Sequence, residues 1–259
     1  MITLKIHTLL IMNKIKLLSI TWSYDQSFDY KNTILYKSFI KHNNENDFVN
    51  IHFNRNEYSE IEKDFENNYG YQSEFILYKI FLLKERLKEI DDGIIIYCDT
   101  NDVVCLDNIN NLNYTGGTIF SSEKNRYPDD NSSWKPSSSY PEWNLNNNIY
   151  LNSGLIVTTK KLYLNLLDNV IDNIIPLNYT NFGGDQGVYT YHYINNLLPK
   201  IRLDETCEFF VSTYLTSPNW FEKIDKRLRH KLTNTTPMFI HDNGLNVGSP
   251  RIIENFNLM

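Results

Sequence analysis

Residues 76–102 limit the folds open to this chain more than any other stretch. Ile76, Ile80, Leu83, Leu87 and Ile90 recur at spacings of 4, 3, 4 and 3, the apolar stripe of an amphipathic helix. Asp91-Asp92-Gly93 ends the stripe, with Gly93 expected as the C-terminal cap. Ile94 to Cys98 then runs apolar without interruption, as a strand covered on both faces does. Asp99-Thr100-Asn101-Asp102 follows at once. A helix that delivers a doubly covered strand is the repeating unit of an α/β sheet.

The rest of the chain supplies more such units. Ile15 to Trp22 is a compact β-branched run, the expected first strand, and Asp25 to Asn32 turns the chain. Val49, Ile51 and Phe53 alternate with polar residues as a second strand. Further strands are expected at Thr115 to Ser121, Leu155 to Thr158, Ile201 to Leu203 and Pro237 to Ile240. Leu162, Tyr163, Leu166, Leu167, Val170, Ile171 and Ile174 make a second helical stripe, and Asp185 to Leu198 a third helix. Strands alternate with helices, no internal repeat occurs and no Pro/Gly linker divides the chain. The expected fold is one α/β domain, residues 15–259, with a mainly parallel sheet, preceded by an extension of residues 1–14.

Charge and composition exclude several classes of partner. Lys plus Arg is 25 and Asp plus Glu is 31, a net charge of −6. That is no footprint for duplex nucleic acid or an anionic membrane. The first twenty residues hold two short apolar stretches broken by Lys5, His7, Asn13, Lys14 and Lys16, too short to span a bilayer and without a small-residue cleavage site. Cys98, Cys105 and Cys207 are odd in number and form no CxxC, which suits a reducing compartment, and a cytoplasmic location is expected. Ala is absent and Asn accounts for 35 of 259 residues, a bias that fits an A+T-rich genome.

The polar breaks carry the candidate chemistry. Asp99 and Asp102, three apart past a buried strand, lie where open α/β sheets bind ligands. Carboxylate oxygens there suit Mg²⁺ or Mn²⁺; the same four residues also read as a strand-to-loop turn. His241 closes the last strand before Asp242-Asn243-Gly244, and imidazole beside two carboxylates favours Mn²⁺ over Ca²⁺. A hydrogen-bonded structural histidine and a simple turn are the alternatives. Asn152-Ser153-Gly154 precedes a strand and Gly183-Gly184-Asp185-Gln186 opens a helix; each reads as a site or as a turn and cap. Lys79 lies beside the apolar helix stripe, where it reaches a diphosphate or snorkels into solvent. Glu123 to Asn148 is long, aperiodic and rich in Ser, Pro, Asn and Trp, the length of a functional loop. Its Tyr127, Trp134 and Trp143 offer faces for sugar or peptide stacking.

Taken in order, Lys79, Asp99-x-x-Asp102, Ser122-Glu123, Tyr127-Pro128, Leu151-Asn152-Ser153-Gly154, Asp185-Gln186, Leu203-Asp204 and His241-x-Asn243-Gly244 resemble the glycosyltransferase domain of the procollagen lysyl hydroxylase/glycosyltransferase family, related to the collagen galactosyltransferases. The resemblance runs from about Ile15 to the C-terminus. With the Asn-rich, Ala-free composition it suits a giant-virus member, placed in host cytoplasm or a virion.

The resemblance implies a GT-A fold, a UDP-sugar donor and Mn²⁺. It assigns Asp99, Asp102 and His241 to the metal, Lys79 to the UDP diphosphate, and Asn243 and Gly244 to the same pocket. Ser23 would lie near the uridine, Asn152, Ser153, Tyr127, Trp134 and Trp143 near substrate, and Asp185 and Gln186 at the transferred sugar. The implied reaction moves a hexose, glucose ahead of galactose, to hydroxylysine or galactosyl-hydroxylysine of collagen or a collagen-like acceptor. A second copy of the chain, as a homodimer, is the other candidate partner. Three positions depart from the family pattern. A run of aspartates before the DQ pair is Asn181-Phe182-Gly183-Gly184 here, an aromatic between the metal aspartates is Asn101, and a Trp before Pro is Tyr127. The first departure keeps open a nucleotide-sugar-binding protein without transfer. A HAD-like phosphohydrolase with Asp99 as nucleophile is the second rival, and it lacks the carboxylate two residues on, where Asn101 stands.

Overall fold

The computed structural model describes residues 14–23, 28–54, 75–123, 150–174, 185–197, 201–214, 216–225, 227–243 and 252–258. Its main sheet has six strands: β1 (Ile15–Ser23), β2 (Phe48–Asn54), β3 (Ile94–Cys98), β5 (Thr118–Glu123), β6 (Tyr150–Thr159) and β7 (Ile201–Leu203). Their spatial order is β2-β1-β3-β6-β5-β7. β1 pairs parallel with β2 and β3, and β5 pairs parallel with β7. β6 runs against both its neighbours, so the mainly parallel sheet contains one reversed strand. Short strands β4 (Val103–Cys105), β8 (Phe210–Ser212) and β11 (Phe239–His241) form a second sheet in the order β4-β11-β8, and β9 (Phe221–Ile224) with β10 (Arg227–His230) a hairpin.

Alternation along the strands divides the core. Ile95 and Tyr97 of β3, with Leu18 and Ile20 of β1, face the helices α2 (Phe75–Glu89), α3 (Lys160–Ile174) and α4 (Asp185–Ile194). There they meet Ile80, Leu83 and Leu87 of α2 and Tyr163, Leu166, Leu167 and Val170 of α3. Ile94, Ile96 and Cys98 face the other way, onto α1 (Ile34–Phe39), β4 and β11 through Leu35, Phe39, Val103 and Phe239. Both faces of β3 are thus covered, which is why its five residues are uniformly apolar.

Several expected bounds change, among them the last strand, which is Phe239–His241, and β5, which starts at Thr118. α2 stops at Glu89, and Gly93 does not cap it: a Cβ at Gly93 would run into the Lys14 carbonyl, and its own carbonyl accepts from Lys160 N–H at 2.9 Å. Asn152-Ser153-Gly154 is no break before a strand but the interior of β6. Glu123 ends β5 instead of opening a loop, and α4 ends at Ile194. The turn expected at Asp25 to Asn32 lies partly outside the described residues, with Tyr30–Asn32 a short 3-10 turn.

Candidate active site

β3 ends with Tyr97 and Asp99 on the same side, two residues apart, and α2 brings Lys79 under both. The Lys79 ammonium lies 5.1 Å from the centre of the Tyr97 ring and donates to Asp99 Oδ1 at 3.1 Å. It pairs with Asp185 Oδ2, at the N-terminus of α4, at 2.9 Å. The Tyr97 hydroxyl donates to Asp99 Oδ1 at 3.0 Å. Burial pulls the Lys79 ammonium down, but Asp185 and Asp99 outweigh it and hold its pKa well above the ordinary value. Burial likewise works against the Asp99 carboxylate, and Lys79 and then His241 overcome it, leaving its pKa below the usual range. Lys79 and Asp99 are therefore both charged at neutral pH.

β11 brings the second half. His241 Nε2 stands 3.4 Å from Asp102 Oδ1 and 4.0 Å from Asp99 Oδ2. Backbone bonds fix the approach: Asp242 N–H donates to the Asp102 carbonyl at 2.7 Å, and Thr213 N–H to the His241 carbonyl at 3.0 Å. The Asp242 carboxylate turns away from the cleft. It accepts from the Thr213 hydroxyl at 2.7 Å and from the first two N–H groups of α5 (Ile252–Asn255), both at 3.1 Å. Burial disfavours the His241 imidazolium, but the Asp102 charge and hydrogen bond, then Asp99 and Glu123, lift its pKa to about 9.

A bulge in β6 supports this pair from below. β5 and β6 are in register at Phe120 opposite Ile156, then shift so that Ser121 faces Asn152. Such bulges re-aim side chains beside functional sites. The shift carries Gly154 against the cleft floor, where a Cβ would stand 2.7 Å from Asp99 Oδ2 and 2.8 Å from His241 Nδ1; only glycine fits. Asp99 N–H donates to the Gly154 carbonyl at 2.8 Å. Asn152, buried in the bulge, lies between His241 Nδ1 at 3.0 Å and the carboxyl of Glu123. Glu123 also accepts from the Asn243 amide at 2.6 Å, while its second oxygen is buried without a partner among the described residues. Burial pushes the Glu123 carboxyl up to about 7.

Above the floor opens a cleft of about 450 Å³. One end is lined by Asp99, Asp102, Lys79 and Asp185, the other by Ile20, Thr21 and Phe28. The Phe28 ring stacks on His52 with 5.7 Å between centroids and 10° between planes, and the Thr21 hydroxyl lies 3.2 Å from His52 Nδ1. One end is built for charge and the other offers an aromatic edge.

The structure thus brings Asp99, Asp102, His241, Lys79 and Asp185 together, with Asn152, Ser153, Gln186 and Asn243 around them. The Asn152 amide, expected among substrate contacts, is committed to protein partners, and Gln186 Oε1 turns to the bulge, 3.4 Å from Ser153 N. Ser23 ends β1, its side chain outside the described residues, as are Gly244, Tyr127, Trp134 and Trp143. Sequence reasoning assigns no site role to Tyr97 or Glu123, and reads Gly154 only as one residue of the Asn152–Gly154 break. The two-residue step from Tyr97 to Asp99 is the available signal for the first. Among the described residues no group of three or more His, Cys, Asp or Glu side chains is gathered as a ready cation site. The donor set nevertheless fits one. Two carboxylate oxygens face one imidazole nitrogen, a donor set of the kind that suits Mn²⁺.

A family model for the PLOD GT domain matches residues 36–256. No curated protein matches the chain significantly. Among solved structures, the apo form of WbbM, a bifunctional glycosyltransferase, superposes with a TM-score of 0.52 at 12% identity, over 96% of this chain and 52% of that one. The glycosyltransferase GlyE of Streptococcus pneumoniae gives 0.41 at 13% identity, over 75% of this chain and 46% of that one. The chain spans about half the length of these structures.

Proposed function

The chain belongs to the PLOD GT domain family of glycosyltransferases, and on that premise we propose that it transfers a hexose, glucose ahead of galactose, from a UDP-sugar to hydroxylysine or galactosyl-hydroxylysine in a collagen-like acceptor, with Mn²⁺. The observation that carries this reading is the convergence of Asp99 and Asp102 on His241 Nε2 at the charged end of the cleft, beside Lys79.

Asp99, Asp102 and His241 would hold the ion, and bound there it would neutralise negative charge on the departing diphosphate. Lys79, charged and fixed by two carboxylates, supplies a second positive group to the same phosphates. Its position costs no reorganisation at the moment of reaction, because Asp99, Asp185 and the Tyr97 ring already hold it. Asp185 presents a carboxylate where the anomeric carbon gains positive character. At the other end, Phe28 and Thr21 receive the base, a place the exposed Asn101 cannot fill by stacking.

The deciding experiment incubates the chain with UDP-glucose, UDP-galactose and N-acetylated UDP-sugars, with Mn²⁺ or after chelation, on collagen peptides with and without galactosyl-hydroxylysine. Metal-dependent transfer to a peptide is expected. UDP-sugar binding without turnover on any acceptor would make the chain a binding protein, and equal transfer after chelation would remove the metal.

A further inference from the structure

Two backbone donors fix the orientation of two side-chain amides under the cleft, Asn152 and Gln186. A backbone N–H can only donate. Gly154 N–H meets the Asn152 side chain at 3.0 Å, so the atom there is Oδ1. Ser153 N–H meets Gln186 at 3.4 Å, so that atom is Oε1. Asn152 Nδ2 then faces two acceptors, Gln186 Oε1 at 3.3 Å and Glu123 Oε1. Turning the amide over would set donor against donor at one end and acceptor against acceptor at the other.

The consequence falls on His241. Asn152 Oδ1 accepts and cannot donate, so His241 Nδ1, 3.0 Å away, carries a proton. Nε2 is the nitrogen turned toward Asp102 and Asp99. Gly154 makes this possible, because any side chain there would occupy the space between Asp99 and the imidazole.

We propose that Asn152 is a positioning residue: held by Glu123, Gln186 and the Gly154 N–H, it locks a proton on His241 Nδ1 and so leaves Nε2 as the nitrogen that a divalent cation shared with Asp99 and Asp102 would take. This rests on the metal reading above. Asn152 acts through His241 and touches neither sugar nor nucleotide. Groups that fix a ligating imidazole in this way typically change metal affinity 10- to 100-fold when removed.

The test compares Asn152→Leu, which has no acceptor, with Asn152→Asp, which keeps an acceptor for His241 Nδ1 and Gly154 N–H. Mn²⁺ affinity is read from the electron paramagnetic resonance of the free ion, without substrate. Asn152→Asp should stay within about threefold of wild type and Asn152→Leu should fall about tenfold or more. In wild type loaded with diamagnetic Cd²⁺, ¹⁵N spectra of His241 should show Nδ1 protonated and Nε2 on the metal. Equal affinity in wild type and Asn152→Leu, or an Asn152→Asp as weak as Asn152→Leu, would overturn the lock. So would a metal on Nδ1, a measurement that stands even where Asn152→Leu fails to fold. A wild type that binds neither ion would sink the metal site itself and the lock with it.

Discussion

Asp99, Asp102, Asp204 and Asp242 each stand beside the end of a strand, and they divide into two pairs. Asp204, after β7, accepts from the backbone N–H groups of Glu208, Phe209 and Phe210 at 2.8–2.9 Å. Asp242, after β11, holds the first N–H groups of α5 and the Thr213 hydroxyl. Both are 2% exposed. Asp99 and Asp102 accept instead from charged side chains, Lys79 and His241, and their side chains are 35% and 25% exposed to the cleft. A carboxylate facing backbone donors has committed its charge to the fold. One facing Lys and His at a cleft keeps its charge for whatever enters. The residue type and its place at a strand end are the same in both pairs; only the partners differ.

The sharpest test of that division is loss of the exposed pair. Asp99→Ala, Asp102→Ala or His241→Ala should each lower Mn²⁺-dependent transfer about a thousandfold, the upper range for losing one electrostatic stabiliser. Melting temperature should change by only a few degrees in the two aspartate variants, since little core packing is removed; His241 is buried, and its variant should lose more. Turnover of UDP-sugar and calorimetry read the two effects separately. Wild-type turnover in any of the three would move that residue to the structural pair.

The opposite result is expected for the buried pair. Asp204→Ala leaves three backbone donors without their acceptor, two of them buried, and should cost about 3 kcal/mol of stability. Activity per folded molecule should be unchanged, because Asp204 is not among the residues lining the cleft. Urea unfolding together with turnover at low temperature checks both statements.

How far this division is legible in sequence depends on which physical signal each element writes. Ile94 to Cys98 and Ile201 to Leu203 have the same bounds in sequence and structure, because a short apolar run between polar neighbours has few other readings. The sequence pattern starts β6 only at Leu155, because Asn152 and Ser153 are polar, yet both are buried. Their burial is offset by hydrogen bonds to His241, Glu123 and Gln186, partners far away in sequence. Gly154 reads as a turn residue but serves a close approach, which no local pattern reports. The three-residue strands β4 and β8 have no counterpart among the expected strands. Asp99, Asp102 and His241 are legible as types at strand ends; that they meet follows only from β11 pairing beside β4. Tyr127, Trp134 and Trp143 lie outside the described residues.

Glu123 belongs to neither pair, since its partners are two neutral amides, Asn152 and Asn243. Burial raises its folded pKa to about 7 from 4.5. The folded chain therefore holds this proton at pH values where the unfolded chain has lost it, so stability falls as pH rises. The contribution is complete below about pH 4.5 and is lost as pH approaches 7. Glu123→Gln keeps an oxygen for both amides and has no charge to bury. It should match wild type at pH 4 and exceed it at pH 8 by up to about 3 kcal/mol, since each tenfold change in proton affinity is worth about 1.4 kcal/mol. Urea midpoints at the two pH values decide this; an equal decline in both proteins would place the penalty elsewhere.

Asp185 crosses the division and gives the finest test of it. Its Oδ1 accepts the Gln186 N–H at 3.0 Å, as a structural aspartate does at a helix start, while its Oδ2 pairs with Lys79 at 2.9 Å at the cleft. If the backbone bond is its main work, Asp185→Asn should be nearly silent, because Asn serves a helix N-terminus almost as well. If the charge is, the loss falls on the transition state, where positive character develops on the sugar, and so on kcat. We expect kcat lower by roughly 100-fold, with the affinity for UDP little changed. Lys79 adds a control: with Asp185 neutral, its ammonium keeps only Asp99 as a charged partner within 4 Å among the described residues. A Lys79→Met, Asp185→Asn double variant should then be slower than either single variant, because the two groups act on opposite charges, Lys79 on the diphosphate and Asp185 on the sugar. A double variant no slower than Lys79→Met would mean that Asp185 works only by holding Lys79. Wild-type kcat in Asp185→Asn would return Asp185 to the company of Asp204 and Asp242.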